Sequence, residues 1–288
     1  MVRVAARDGA VLPIITTMGA NSASLLNAAL ALYAVSLLDS LYAVVKPRHQ
    51  LSRLAVCAFV AAAGAHFVSL ALESWELGRL AVQTLQQMSS MASLFMAAAF
   101  LAVYARFKYS SLAVFAFPPV FLLAMAGALG GTAPATSRPM LQWWISAHAA
   151  LFLLGYAALF LACVAGLMYL IQERDLKAKR QRPFSDRLPP LGKLDEIGYK
   201  ALAAAFVLIT LGLIAASVWA FAKWGSNWVV DPTIALAFLT WGIAFGIVMG
   251  RLAAGWRGHK GAYLAIAGFI CAALTWIVNS GAHTFMGQ

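Results

Sequence analysis

The chain has little charge, and acid is the scarcer sign. Of its 288 residues, 11% are charged, with 10 acidic side chains against 21 basic ones. A soluble globular protein carries about 25% charged residues. The deficit runs along the whole length, which excludes a soluble enzyme or a soluble binding module. No hydrophilic block is long enough for a separate soluble domain. Cysteine is scarce too: Cys57, Cys163 and Cys271 all lie in apolar runs, and neither C-x-x-C nor C-x-x-C-H occurs. That excludes a dithiol oxidoreductase of that pattern and a chain that itself carries c-type haem. The three thiols read as small apolar fillers. The start also lacks a signal peptide's sequence of charge, short apolar core and small-residue cleavage site, so the first long apolar run is expected to stay as a membrane anchor.

What the chain has in abundance is hydrophobic sequence, 62% of the residues. A spanning helix needs about 20 mostly apolar residues. Eight runs qualify, at 23–45, 52–72, 88–105, 111–130, 145–171, 198–222, 233–250 and 262–280. The predicted fold is therefore all-α, a polytopic integral membrane protein of about eight transmembrane helices forming one membrane domain over 1–288. The short break Arg106–Tyr109 separates the third run from the fourth. The most polar insert, 172–197, holds Arg174, Lys177, Lys179, Arg180, Arg182, Arg187 and Lys193, and Pro183, Pro189 and Pro190 keep it from being one helix.

Basic residues collect in alternate loops. Those after runs one, three, five and seven hold 16 of the 21, including Lys46, Arg48, Arg53, Lys200, Arg251, Arg257 and Lys260. Cytoplasmic loops carry such an excess, so 172–197 is predicted to be a basic cytoplasmic loop and both termini are predicted to lie outside. A net charge of +11 spread this way reflects topology and contact with lipid. No nucleic-acid partner is expected.

The outer loop 223–232 is unlike a simple connection. Trp224, Trp228 and Asp231-Pro232 flank Gly225-Ser226-Asn227. An aromatic belt at the membrane edge accounts for single tryptophans, but two indoles and a carboxylate in nine residues exceed that need. The same outer side receives His148, just after Trp143 and Trp144, and His283, past the last run. His49 and His259 fall in basic loops and read as solvated. His66 lies inside the second run and Asp39 inside the first. An ionisable group there is a functional candidate, though a hydrogen bond to a neighbouring helix also satisfies it. Glu73, Glu76 and Arg79 read as a solvated helix end, and Met88, Met91 and Met96 as packing.

Two neutral imidazoles with an aromatic shelf between them suit a haem: histidine nitrogen is an ordinary axial ligand, and indole faces stack on the porphyrin. Zinc would need a third ligand, which Asp231 can supply, and two histidines turned apart would be structural only.

The order WGSNWVVDPTI (224–234), then Thr240-Trp241, preceded by His148 with Tyr156 and by Gly166-Leu167-Met168-Tyr169-Leu170, and followed by Gly281-Ala282-His283-Thr284, resembles the CcsA/ResC family of cytochrome c assembly proteins. The likeness covers most of the chain and is clearest from His148 to His283. It departs from the family pattern at Val230, where a third tryptophan stands, and at Thr233-Ile234, where Lys-Glu stands. A second in-span histidine of the family falls at Met249, and His66 matches the first. The resemblance implies that haem b is bound outside by His148 and His283. The loop residues Trp224, Trp228 and Asp231 would orient it, and His66 and Met249 would lie on an inner entry site. It implies thioether attachment to a C-x-x-C-H apocytochrome c, a CcsB/ResB-type membrane partner, and a place in the bacterial inner membrane. The altered loop leaves two alternatives: a haem transporter or chaperone of CcmC type, and a HemX-like regulator of tetrapyrrole synthesis.

Overall fold

The computed structural model describes residues 8–46, 52–129, 139–179, 187–224 and 232–279, with backbone only at 8–20, 139–143, 145, 219, 222–224, 232–233 and 276–279. Eight helices account for nearly all of it: α1 (Asp8–Val45), α2 (Arg53–Leu77), α3 (Leu85–Phe107), α4 (Leu112–Ala128), α5 (Pro139–Lys177), α6 (Leu191–Trp224), α7 (Pro232–Ala254) and α8 (His259–Asn279). The described residues contain no strand, and the chain is a polytopic membrane protein. Six segments are long and apolar enough to cross a bilayer: Asn21–Val45, Arg53–Leu77, Leu85–Phe107, Ser146–Lys177, Leu191–Val218 and Ile234–Ala254. The apolar segments Leu112–Ala128 and His259–Thr275 are shorter.

Helix ends differ from the hydropathy runs where charge extends a helix beyond its apolar part. α5 continues to Lys177, with Glu173 and Lys177 paired across one turn at 2.8 Å. α6 begins at Leu191, directly after Pro189-Pro190, and Glu196 pairs with Lys193 at 2.8 Å and Lys200 at 2.7 Å. The predicted loop 172–197 is therefore helical at both ends, because ion pairs spaced i to i+3 and i to i+4 suit an exposed helix that hydropathy does not register. The connection between α3 and α4, residues 108–111, overlaps the expected break Arg106–Tyr109 but starts two residues later, with Lys108 in the left-handed region (φ 58°) as the cap of α3. Thr84 and Gln87 form a reciprocal capping box at its start, whose side-chain oxygens accept from backbone amides the first turn would otherwise leave open.

α5 is the axis. Its spanning window is 72% buried, against 50% or less for the other five spans, and it packs on α3, α4, α6 and α8. On one side Tyr33, Phe59, Phe100 and Phe117 form an aromatic core with Phe160 and Met168 of α5, Phe59 stacked on Phe117 at 4.1 Å. On the other, Tyr156, Leu159 and Ala162 of α5 pack with Leu202, Ile209, Ile247 and Ala265. Lipid offers hydrophobic contact as good as protein does, so close packing of small residues holds such helices together. A side-chain carbon at Gly166 would lie 3.0 Å from the carbonyl of Ala262, and one at Gly155 would lie 2.7 Å from Ile209. Large aliphatics such as Val207, Leu211, Ile214 and Val218 are exposed along α6, as lipid contact requires.

Candidate functional site

Helix order puts the start of α5, the end of α6 and the start of α7 at one end of the bundle. His148 lies there on α5. Its Nδ1 is 3.0 Å from the carbonyl oxygen of Gly212 on α6. A carbonyl only accepts, so the neutral ring carries its hydrogen on Nδ1 and its lone pair on Nε2. Phe152, one turn further on, meets the imidazole edge-on at 4.9 Å. Trp144, one turn before, donates from Nε1 to the carbonyl of Ala215 at 2.9 Å. Three consecutive turns of α5 are thus tied to two turns of α6. The closeness depends on Gly212: a side-chain carbon there would lie 2.8 Å from Cδ2 of Phe152.

A histidine that binds a metal through one nitrogen usually donates from the other to a carbonyl or carboxylate, which fixes ring and tautomer. His148 has that second-nitrogen partner in Gly212. The residues present at this end therefore suit an iron ligand, and Trp144 and Phe152 supply aromatic surface on either side along α5.

The remaining predicted residues sort as follows. Trp224 is the last residue of α6, with its side chain outside the described residues. Trp228, Asp231 and His283 lie outside the described residues altogether. Pro232 opens α7, a position where a missing amide hydrogen costs nothing. Near the middle of α7, Trp241 donates from its indole to Thr210 Oγ1 at 2.9 Å, which fastens α7 to α6 two residues from Gly212.

His66 is fully buried, and its Nε2 lies 2.8 Å from Ser90 Oγ on α3. Tyr33 meets it edge-on at 5.9 Å. Met249 is on α7 and 36% exposed. α2 packs on α1 and α3, whereas α7 packs on α6 and α8, so the fold does not set His66 and Met249 side by side. Asp39 accepts a hydrogen bond from the backbone of Ser52 at 2.9 Å, across the connection from α1 to α2. Among the described residues no group of three or more His, Cys, Asp and Glu side chains converges as a metal site.

Two features escaped the sequence. Gly212 supplies the carbonyl that orients His148, and nothing in an apolar run marks one glycine over another. Arg79 is not a solvated helix end: it is 9% exposed, beside a Gln87–Glu73 hydrogen bond of 2.8 Å. At the opposite end of the bundle, Asp195 accepts from Arg251 at 2.8 Å and from the Gly258 amide at 2.9 Å, and Arg251 lies over Tyr199 at 4.3 Å. These residues, with Tyr169 and Trp256, line a cleft of about 410 Å³ counted with its open mouth. They join α6 to the α7–α8 connection.

Comparison with known proteins agrees with the residue pattern. Proteins named cytochrome c biogenesis protein CcsA are similar to it: that of Prochlorococcus marinus (strain AS9601) is 28% identical over 165 residues, 49% of this chain and 53% of the relative. That of Guillardia theta is 29% identical over 160 residues, 50% of this chain and 52% of the relative. That of Chlamydomonas reinhardtii is 29% identical over 147 residues, 49% of this chain and 40% of the relative. The chain spans about half the length of the curated relatives it matches. The family match is much longer, taking in residues 23–283 and so both His148 and His283, and by it the chain belongs to the cytochrome C assembly protein family.

Proposed function

We propose that this protein binds haem b at the outer, tryptophan-bearing end of the bundle and presents it for attachment to a C-x-x-C-H apocytochrome c. The observation that carries the reading is the His148–Gly212 hydrogen bond, 3.0 Å long, which fixes the imidazole at the family's histidine position. His283 is the second axial ligand, and Trp224, Trp228 and Asp231 form the platform and edge that hold the haem plane. His66 and Met249 lie on helices that do not pack together, so the proposal does not pair them in an inner site.

The chain's contribution is positioning. His148 and His283 hold the iron and set its potential through their ligand basicity. The indoles shield the ring from water. Each cysteine thiol then adds across one vinyl group, sulfur to one carbon and hydrogen to the other, so two thioethers form with no net transfer of electrons. Holding the reacting carbon and sulfur together supplies the rate advantage. A CcsB/ResB-type membrane partner brings the apoprotein. The protein sits in the bacterial inner membrane with both termini outside, a reading supported by the placement of 16 of 21 basic residues in alternate loops.

Val230 and Thr233-Ile234 favour a second reading, a haem carrier without attachment activity, since they thin the platform while leaving both histidines. Purifying the protein from haem-replete membranes and recording its optical spectrum tests the common part. A bis-histidine haem spectrum is expected, and a protein free of haem under those conditions overturns both readings. Co-expression with a ResB-type partner and an apocytochrome then separates them: covalent haem on the apocytochrome marks the synthase, and bound haem without it marks the carrier.

A further inference from the structure

The geometry points to Arg79 as the seat of a haem propionate carboxylate, at the same end of the bundle as His148. Arg79 is the only buried Lys or Arg side chain among the described residues, 9% exposed. Its Nε has no hydrogen-bond partner, and its Nη1 reaches only the neighbouring Leu80 carbonyl at 3.4 Å. The ion pairs among the described residues involve Glu173, Glu196 and Asp195, none of them with Arg79. A buried guanidinium left this way is costly unless an anion joins it, and its planar fork fits a carboxylate in two-point contact. Burial acts to lower its pKa, opposed by the charge of Glu73, and Glu73 Oε1 is already taken by Gln87 Nε2 at 2.8 Å.

Position ties this cation to the haem end. Arg79 follows α2 by two residues. Ala81 and Val82, just beyond it, pack in one apolar cluster with Met88, Met91, Leu153 and Ala149, and Ala149 is the neighbour of His148. Arg79 and His148 therefore lie at the same end of α5, Arg79 on the side of α3 and His148 on the side of α6. Haem carries its two propionates on one edge of the ring, and the proposal is that this edge turns from His148 toward α3, where Arg79 receives a carboxylate.

The inference rests on the haem reading above, and the experiment separates the two. Haem and haem dimethyl ester, which lacks the free carboxylates, are titrated into the purified full chain in neutral detergent and followed by absorption. Wild type is expected to bind haem more tightly than the ester. Arg79→Gln is expected to lose roughly tenfold in haem affinity with ester affinity unchanged, and Arg79→Lys to recover part of it. Unchanged ester binding also shows that the variants fold. Equal losses for haem and ester in Arg79→Gln, or no loss for either, overturn the propionate assignment while leaving the haem reading intact. Wild type that binds neither ligand overturns both.

Discussion

His148 and Gly212 face each other across α5 and α6, imidazole Nδ1 to carbonyl oxygen, at 3.0 Å. The contact needs both partners to be what they are. The ring must carry its hydrogen on Nδ1, and the facing helix must approach closely enough for its own backbone to be reached. A side-chain carbon on residue 212 would push against Phe152 at 2.8 Å.

Replacing His148 or His283 by Gly is expected to lower the haem retained per protein, and added imidazole to restore part of it by filling the vacated coordination position. The measurement is the optical spectrum of purified protein with and without imidazole. Unchanged haem content and unchanged spectra in both variants would remove these histidines as ligands.

Gly212→Ala is expected to destabilise the protein by about 1–3 kcal/mol, the usual cost of forcing an extra carbon into a packed interface, and to turn His148 away from its carbonyl. Thermal unfolding in detergent measures the first effect and haem retention the second. Phe152→Leu in the same chain should relieve the crowding and recover stability. If Gly212→Ala melts like wild type and keeps full haem, the close approach of α5 and α6 is not what sets the histidine.

The loop after α6 separates two roles for tryptophan. Interfacial anchoring tolerates Trp228→Phe, whereas a stacking platform is sensitive to the smaller ring. Trp228→Ala should then weaken haem binding by about 1–3 kcal/mol, as at other aromatic stacking sites. Asp231→Ala should reduce haem without preventing membrane insertion, and Val230→Trp should raise haem retention. Haem per protein at matched membrane levels decides. Full haem and full cytochrome c maturation in Trp228→Ala and Asp231→Ala would leave the loop as an anchor only.

Topology is checked by reporter fusions. A fusion after Lys179 is expected to report from the cytoplasm and one at Gln288 from the outer side, from the distribution of basic residues. The opposite result at either point would put His148 and the tryptophan loop on the wrong face for attaching haem to an exported apoprotein.

The sequence alone determined the architecture, because bilayer spanning imposes a length and a composition that are read residue by residue. The runs 52–72, 88–105 and 233–250 became α2, α3 and α7, and the Arg106–Tyr109 break became the α3–α4 connection. It also determined the family, since ordered motifs such as WGSNWVVDP and Gly281-Ala282-His283-Thr284 are local. Helix ends escaped it where ion pairs such as Glu173–Lys177 carry a helix past its apolar part. Only the tertiary structure decided what the polar groups do. His66 meets Ser90, 24 residues away, and His148 meets Gly212, 64 residues away. Arg79, surrounded in sequence by acids that suggest a solvated turn, is buried, with its Nε left without a hydrogen-bond partner. Hydropathy reports the cost of placing a side chain in lipid. Whether a polar atom is paired, and with what, depends on which helix lies opposite, and that is settled by the packing of small residues such as Gly155, Gly166 and Gly212 between neighbouring helices.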